Sequence, residues 1–166
     1  MVGRTAAVLC LAASSLAAAA PAATAERSTS RCRVTVVRAA TRPPRSVPAS
    51  FNYGNAKIAV ALFPIDGKLV AGRLPSGASR ASINADGSIY AKYGWWRAGS
   101  VKPVITGSLV SGPRLRLRAT VPDGYGAGFQ ATGLTFPTTG CWRVTGRFAG
   151  RTLVFTVSVT KSPLGP

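Results

Sequence analysis

Acid–base and metal chemistry in proteins draws mainly on His, Asp, Glu and Cys. This chain of 166 residues has no histidine and four acidic residues. Every aspartate is followed by glycine, in Asp66-Gly67, Asp86-Gly87 and Asp123-Gly124. Asp-Gly is the signature of a tight type I′ turn, whose two central residues both take positive φ. The pattern therefore commits all three aspartates to corners. The remaining acid, Glu26, sits beside a cleavage-like sequence. Two aspartates could in principle serve a glycosidase, and a Ser–Lys dyad is the nucleophile pair that works without histidine. No motif joins the serines to the five lysines. Gly124-Tyr-Gly-Ala-Gly128 lacks the strand, helix and Gly-Lys-Ser/Thr context of a phosphate-cradling loop and reads as a corner. With no assembled acid–base set, the expectation is a non-enzymatic protein with no catalytic residues, metal or cofactor. A hydrolase with an unrecognised site is the alternative.

Cationic and aromatic side chains are the better candidates for a site. Lys and Arg number 21, giving a formal net charge of +17. The first expectation is an envelope-associated or binding module of unspecified role; the alternative is that such charge binds acidic cell-envelope polymers through an arginine face, with membrane phospholipid, lipopolysaccharide and wall polymers qualifying equally and no specific nucleic acid. The competing explanation is a set of dispersed, solvated cations, since no five-residue window is solidly basic. Arg114, Arg116 and Arg118 alternate with Leu115, Leu117, Ala119 and Val121, which makes an arginine stripe on one strand face. Arg143 and Arg147 would extend it into an anion-binding surface if the two strands are neighbours. The plainer explanation is the solvated face of a half-exposed strand. Trp95-Trp96 places one ring toward the core and one outward, where a ring beside Arg97 could stack on a sugar or a base; burial of both is the plainer reading.

The ends of the chain say where it goes. Residues 1–25 carry Arg4, an Ala/Leu-rich apolar stretch and Ala23-Thr24-Ala25, which is the pattern of a secretory signal peptide. The apolar run is short for a membrane anchor. Leu9 before Cys10 is a poor lipidation site, so Cys10 is expected to leave with the signal peptide. A secreted, periplasmic or envelope location follows, with no transmembrane segment in the mature chain. Cys32 and Cys141 remain, and an even pair in an exported protein reads as one disulfide.

The elements that position these residues are short strands. Residues 26–50 read as an extended N-terminal segment and a Pro/Arg linker, with a strand pattern at Cys32–Val37 and Pro43, Pro44 and Pro48 behind it. From residue 51 to 166 strand patterns alternate with turn signals. Lys57–Phe63 and Lys68–Ala71 flank Asp66-Gly67 as a hairpin, and Ala81–Ile83 and Ser88–Tyr93 flank Asp86-Gly87 as another. Arg114–Val121, Cys141–Phe148 and Leu153–Thr160 show clean alternation. No segment after residue 25 has helical periodicity, so an all-β antiparallel sandwich is expected.

Several blocks resemble a family of small exported bacterial proteins. They include Cys32-Arg-Val-Thr35, Asn52-Tyr-Gly-Asn55, Lys92-Tyr-Gly-Trp-Trp-Arg97, Val121-Pro-Asp-Gly-Tyr125 and Gly128-Phe-Gln130. The most specific is Leu134-Thr-Phe-Pro-Thr-Thr-Gly-Cys-Trp-Arg-Val-Thr-Gly-Arg147. The resemblance implies export, the two retained cysteines and an all-β domain, and it carries no chemistry. The closing Gly-Cys-Trp and Leu-x-Phe-x-Val strands are similar to the last hairpin of immunoglobulin-like sandwiches. The tyrosine that those domains place two residues before the second cysteine is Thr139 here.

Overall fold

The computed structural model describes residues 32–63, 65–76 and 80–165. The expected signal peptide, with Cys10, and Glu26 lie outside the described residues. The described chain is an all-β sandwich of two sheets.

Its strands are β1 (Tyr53–Gly54), β2 (Ile58–Val60), β3 (Lys68–Ala71), β4 (Ala81–Ile83), β5 (Ile89–Arg97), β6 (Val104–Leu109), β7 (Arg118–Thr120), β8 (Gly128–Phe136), β9 (Gly140–Phe148) and β10 (Arg151–Lys161). One sheet has six strands in the order β1-β2-β5-β8-β7, with β4 also on β5; the other has four, β3-β10-β9-β6. Every pairing is antiparallel except β3 with β10, which run parallel.

Period-2 alternation fills the space between the sheets. From β5 come Ile89, Ala91, Tyr93 and Trp95; from β8, Leu134 and Phe136; from β9 and β10, Trp142, Val144, Phe155, Val157 and Val159, all buried. Trp95 lies fully inside, with Nε1 donating to Thr132 Oγ1 at 3.0 Å. Its ring needs the glycine opposite: a Cβ on Gly146 would come within 2.5 Å of it. Trp142 is equally buried, with Nε1 donating to the Thr138 carbonyl at 3.0 Å and its ring edge-on to Phe136.

Three local expectations are corrected. The segments around Asp66-Gly67 are not a hairpin, because β2 pairs in the six-stranded sheet and β3 in the four-stranded one. The chain crosses between sheets there, held by Asn52, whose side chain both donates to the Leu62 carbonyl and accepts from the Leu62 amide. Alternation shows which residues face the core, not which sheet they join. Cys32–Val37 forms no ladder; Thr35 instead bonds Thr156 through its backbone amide and its hydroxyl. The Asp-Gly turns are not type I′, since positive φ is confined to the glycines (Gly67 73°, Gly87 79°, Gly124 88°). The type I′ signature falls at the two-residue loop Ala149-Gly150 between β9 and β10, at φ 45° and 74°. The β4–β5 hairpin across Asp86-Gly87 forms as expected.

Candidate functional site: the outer face of the four-stranded sheet

The aspartates serve the turns. Asp66 Oδ1 accepts from the Lys68 amide at 3.1 Å, and Asp86 Oδ1 accepts from the Ser88 amide at 3.0 Å and its hydroxyl at 2.5 Å. The Ser88 hydroxyl, then its amide, hold the Asp86 carboxyl below its ordinary value, with nearby Arg118 adding to this. Asp123 pairs with Lys102 at 2.5 Å.

The arginine stripe forms, but its strand changes sheet midway. Arg114, Arg116 and Arg118 are exposed, while Leu117 is buried and Leu115 and Ala119 pack against the core. Residues Leu115–Leu117 bond the β6 edge through Leu109 to Leu115 and Leu117 to Gly107, with a bridge between Ser108 and Arg116. Leu117 lies over Gly107, where no Cβ could fit. Residues Arg118–Thr120 then pair with β8 in the other sheet. Arg118 therefore leaves the proposed surface and faces Asp86 at 3.7 Å. Arg114 precedes the bridge.

Arg116, Arg143 and Arg147 are brought to one face. The registers align Thr156 with Arg143, Arg143 with Ser108, and Ser108 with Arg116. Thr156, Arg143, Ser108 and Arg116 thus form one row across the sheet, every side chain a hydrogen-bond donor. At a strand spacing of about 4.8 Å, Arg143 and Arg116 stand about 9.6 Å apart along it. Arg147 lies four residues along β9 on the same face, about 13.6 Å from Arg143 at the antiparallel rise.

Sequence reasoning missed Arg33. It joins this face because Cys32 is bonded to Cys141, with Cα atoms 5.4 Å apart. Cys141 points outward on β9, two residues before Arg143, so the bond lays the N-terminal segment over the sheet. The signal available was the Cys32-Arg33 adjacency, whose meaning depends on where Cys141 points. A disulfide of this kind belongs to an oxidising compartment. Among the described residues no helix is long and apolar enough to cross a membrane.

The tryptophans are not a stacking platform. Trp95 has no exposed surface. Trp96 points to the outer face of the six-stranded sheet, as alternation requires, but it packs with Val47, Phe51 and Ala59. Val47 comes from the segment read as a linker, so that segment covers this ring.

Arg97, beside an outward ring in sequence, shares the inward phase of Trp95 and is 1% exposed. No carboxylate meets it among the described residues. Nη1 donates to the carbonyls of Gly99 and Val101, and Nη2 to those of Tyr125 and Gly126 and to Gln130 Oε1, at 2.8–3.0 Å. Gln130 in turn donates to the Pro122 carbonyl. The guanidinium thereby ties the loop after β5 to the glycine-rich loop before β8, and these carbonyl dipoles stand in for a counter-ion. The alternation through Ile89, Ala91, Tyr93 and Trp95 already carried this signal.

No family model and no curated protein matches this chain.

Proposed function

We propose that this protein is an exported, non-enzymatic β-sandwich module that binds acidic polymers of the cell envelope through the outer face of its four-stranded sheet. The observation that carries the reading is the donor row Thr156, Arg143, Ser108 and Arg116, flanked by Arg33 and Arg147. None of these arginines has a salt-bridge partner among the described residues, whereas Arg118 and Lys102 do. Cations left unpaired on one face, on a chain of net charge +17, hold a strong positive potential there. Export is supported by the composition of residues 1–25, by the disulfide, and by the resemblance to small exported bacterial proteins. The absence of catalysis is supported by aspartates already engaged in turns and in a surface ion pair.

The test is retention of the oxidised protein on immobilised lipopolysaccharide, teichoic acid, heparin and neutral dextran across a salt series. Retention on the acidic polymers that weakens steeply with salt, and none on dextran, is expected. Equal retention on dextran, or salt-independent retention, contradicts the reading. Loss of a specific turnover on Asp66→Asn, Asp86→Asn or Asp123→Asn would favour the hydrolase alternative.

A further inference from the structure

We propose that Arg33 and Arg143, beside the Cys32–Cys141 disulfide, form a discrete phosphate site that reads the phosphodiester groups of such a polymer. It rests on the reading above and names the anion and the subsite. A pocket of about 300 Å³ opens on this face, and Arg33, Thr35, Cys141, Arg143 and Thr156 are among the residues lining it. The Thr35 hydroxyl oxygen accepts from the Thr156 amide at 2.9 Å, which fixes its position while its own proton stays free to donate. The Thr35 amide donates to the Thr156 carbonyl at 2.8 Å, so the segment carrying Arg33 is pinned at two points, this one and the disulfide. Val34 is seated against Gly67, where a Cβ would meet its side chain at 2.6 Å.

Two guanidiniums lining one pocket raise the positive potential there, which favours an anion. Among the described residues no carboxylate is paired with either. Two guanidiniums and two hydroxyls present more donors than the two oxygens of a carboxylate can accept. A phosphodiester also carries its charge on two oxygens, but they project from a tetrahedral phosphorus with two ester oxygens beside them, so donors arriving from two chain segments can reach it from several sides, and guanidinium forks bind the charged oxygens in pairs. The row from Arg143 to Arg116 continues away from the pocket across the sheet, which suits a chain of repeated anions. The exposed apolar side chains of this face are the valines Val104 and Val110, without the aromatic rings that seat a protein in a bilayer surface. The exposed aromatic side chains Phe63 and Phe129 line a separate pocket with Lys92 and Gly94 of β5, in the six-stranded sheet, and Tyr125 stacks edge-on against Phe129.

The test titrates the oxidised full chain with inorganic phosphate, and separately with acetate at matched ionic strength, following backbone amide shifts. Saturable shifts at Arg33, Thr35, Arg143 and Thr156 with phosphate, and weaker, unsaturated shifts with acetate, are expected. Arg33→Gln and Arg143→Gln should each weaken phosphate binding at least fivefold. Arg38→Gln, which removes one charge from the same segment, should weaken it less than twofold. Equal losses in all three variants, or equal response to acetate and phosphate, would overturn the site. A glycerol-phosphate polymer and vesicles of anionic phospholipid then separate the sources. Arg33→Gln should reduce retention on the polymer several-fold. Stronger retention on vesicles, with the polymer ignored, overturns the assignment to a polymer. If Arg33→Gln is silent while joint loss of Arg116, Arg143 and Arg147 still abolishes polymer binding, the pocket fails and the broader reading stands.

Discussion

Replacing Arg97 should destabilise the fold in proportion to the number of acceptors it leaves unpaired. Its guanidinium supplies five acceptors on two loops and on Gln130, and its Nε has no partner among the described residues. A lysine ammonium has three donors, so Arg97→Lys strands at least two of the five. Gln130 is buried, whereas Val101, Tyr125 and Gly126 are exposed and their carbonyls can turn to water, which puts Arg97→Lys at about 1–2 kcal/mol. Arg97→Met removes all five bonds, leaves the buried Gln130 Oε1 without its donor and unties both loops, and should cost more, about 2–4 kcal/mol. Equilibrium urea unfolding with the disulfide intact measures both, and an unchanged m-value shows that the comparison is sound. Should Arg97→Lys lose less than about 1 kcal/mol, or Arg97→Met no more than Arg97→Lys, the carbonyl cage is not what holds the loops.

Other substitutions probe the packing and the turns. Ala149 sits at φ 45° in a two-residue turn, a conformation that costs a non-glycine residue about 1 kcal/mol. Ala149→Asn should therefore raise stability by about 0.5–1 kcal/mol in urea unfolding, and a loss would refute the turn assignment. The Tyr93 hydroxyl is buried without a partner among the described residues, so Tyr93→Phe should be neutral or stabilising by about 1 kcal/mol, and a large loss would reveal a missed hydrogen bond. Burial raises the Tyr93 pKa well above the ordinary 10.0. Folding thus favours the protonated phenol: the stability is fully present below pH 10.0 and falls above it, by about 1.4 kcal/mol per unit until the folded value is reached. Tyrosinate absorbance for Tyr93 should appear only with unfolding, and free titration near the ordinary value would contradict its burial. Gly146→Ala should cost at least about 1–3 kcal/mol, because the new methyl meets the Trp95 ring.

Much of this architecture could be read from alternation, because a strand with one buried face must repeat every two residues. The inward residues of β9 and β10 and the solvent-facing arginines of Arg114–Val121 were legible this way. Pairing was less so. Lys57–Phe63 and Lys68–Ala71 look like a hairpin, yet belong to different sheets, because no local pattern records which edge a strand joins. The same gap hid the division of the arginine stripe between Arg116 and Arg118. Asp-Gly marked the corners correctly but not their turn type, which Ala149-Gly150 adopts without the usual residue. Arg97 was legible in phase and overlooked in type, since a charged residue is rarely placed in a core. Arg33 was not legible at all: its site exists only once the disulfide and the outward direction of Cys141 are known.

The proposed binding depends on an arranged face rather than on net charge. It is tested most directly by comparing Arg116→Gln/Arg143→Gln/Arg147→Gln with Arg38→Gln/Arg42→Gln/Arg73→Gln, in affinity for one acidic polymer across a salt series. Both variants lose the same formal charge, and all six arginines are exposed. Removing one arginine–anion pairing should flatten the log–log salt dependence by about 0.7–0.9, as it does for polyanionic nucleic acids. The face variant is expected to lose about two to three such steps and most of its affinity, while the scattered variant keeps nearly the wild-type slope. Equal slopes and equal affinities in the two variants would contradict the account, leaving the arginines of the four-stranded sheet as a solvated surface.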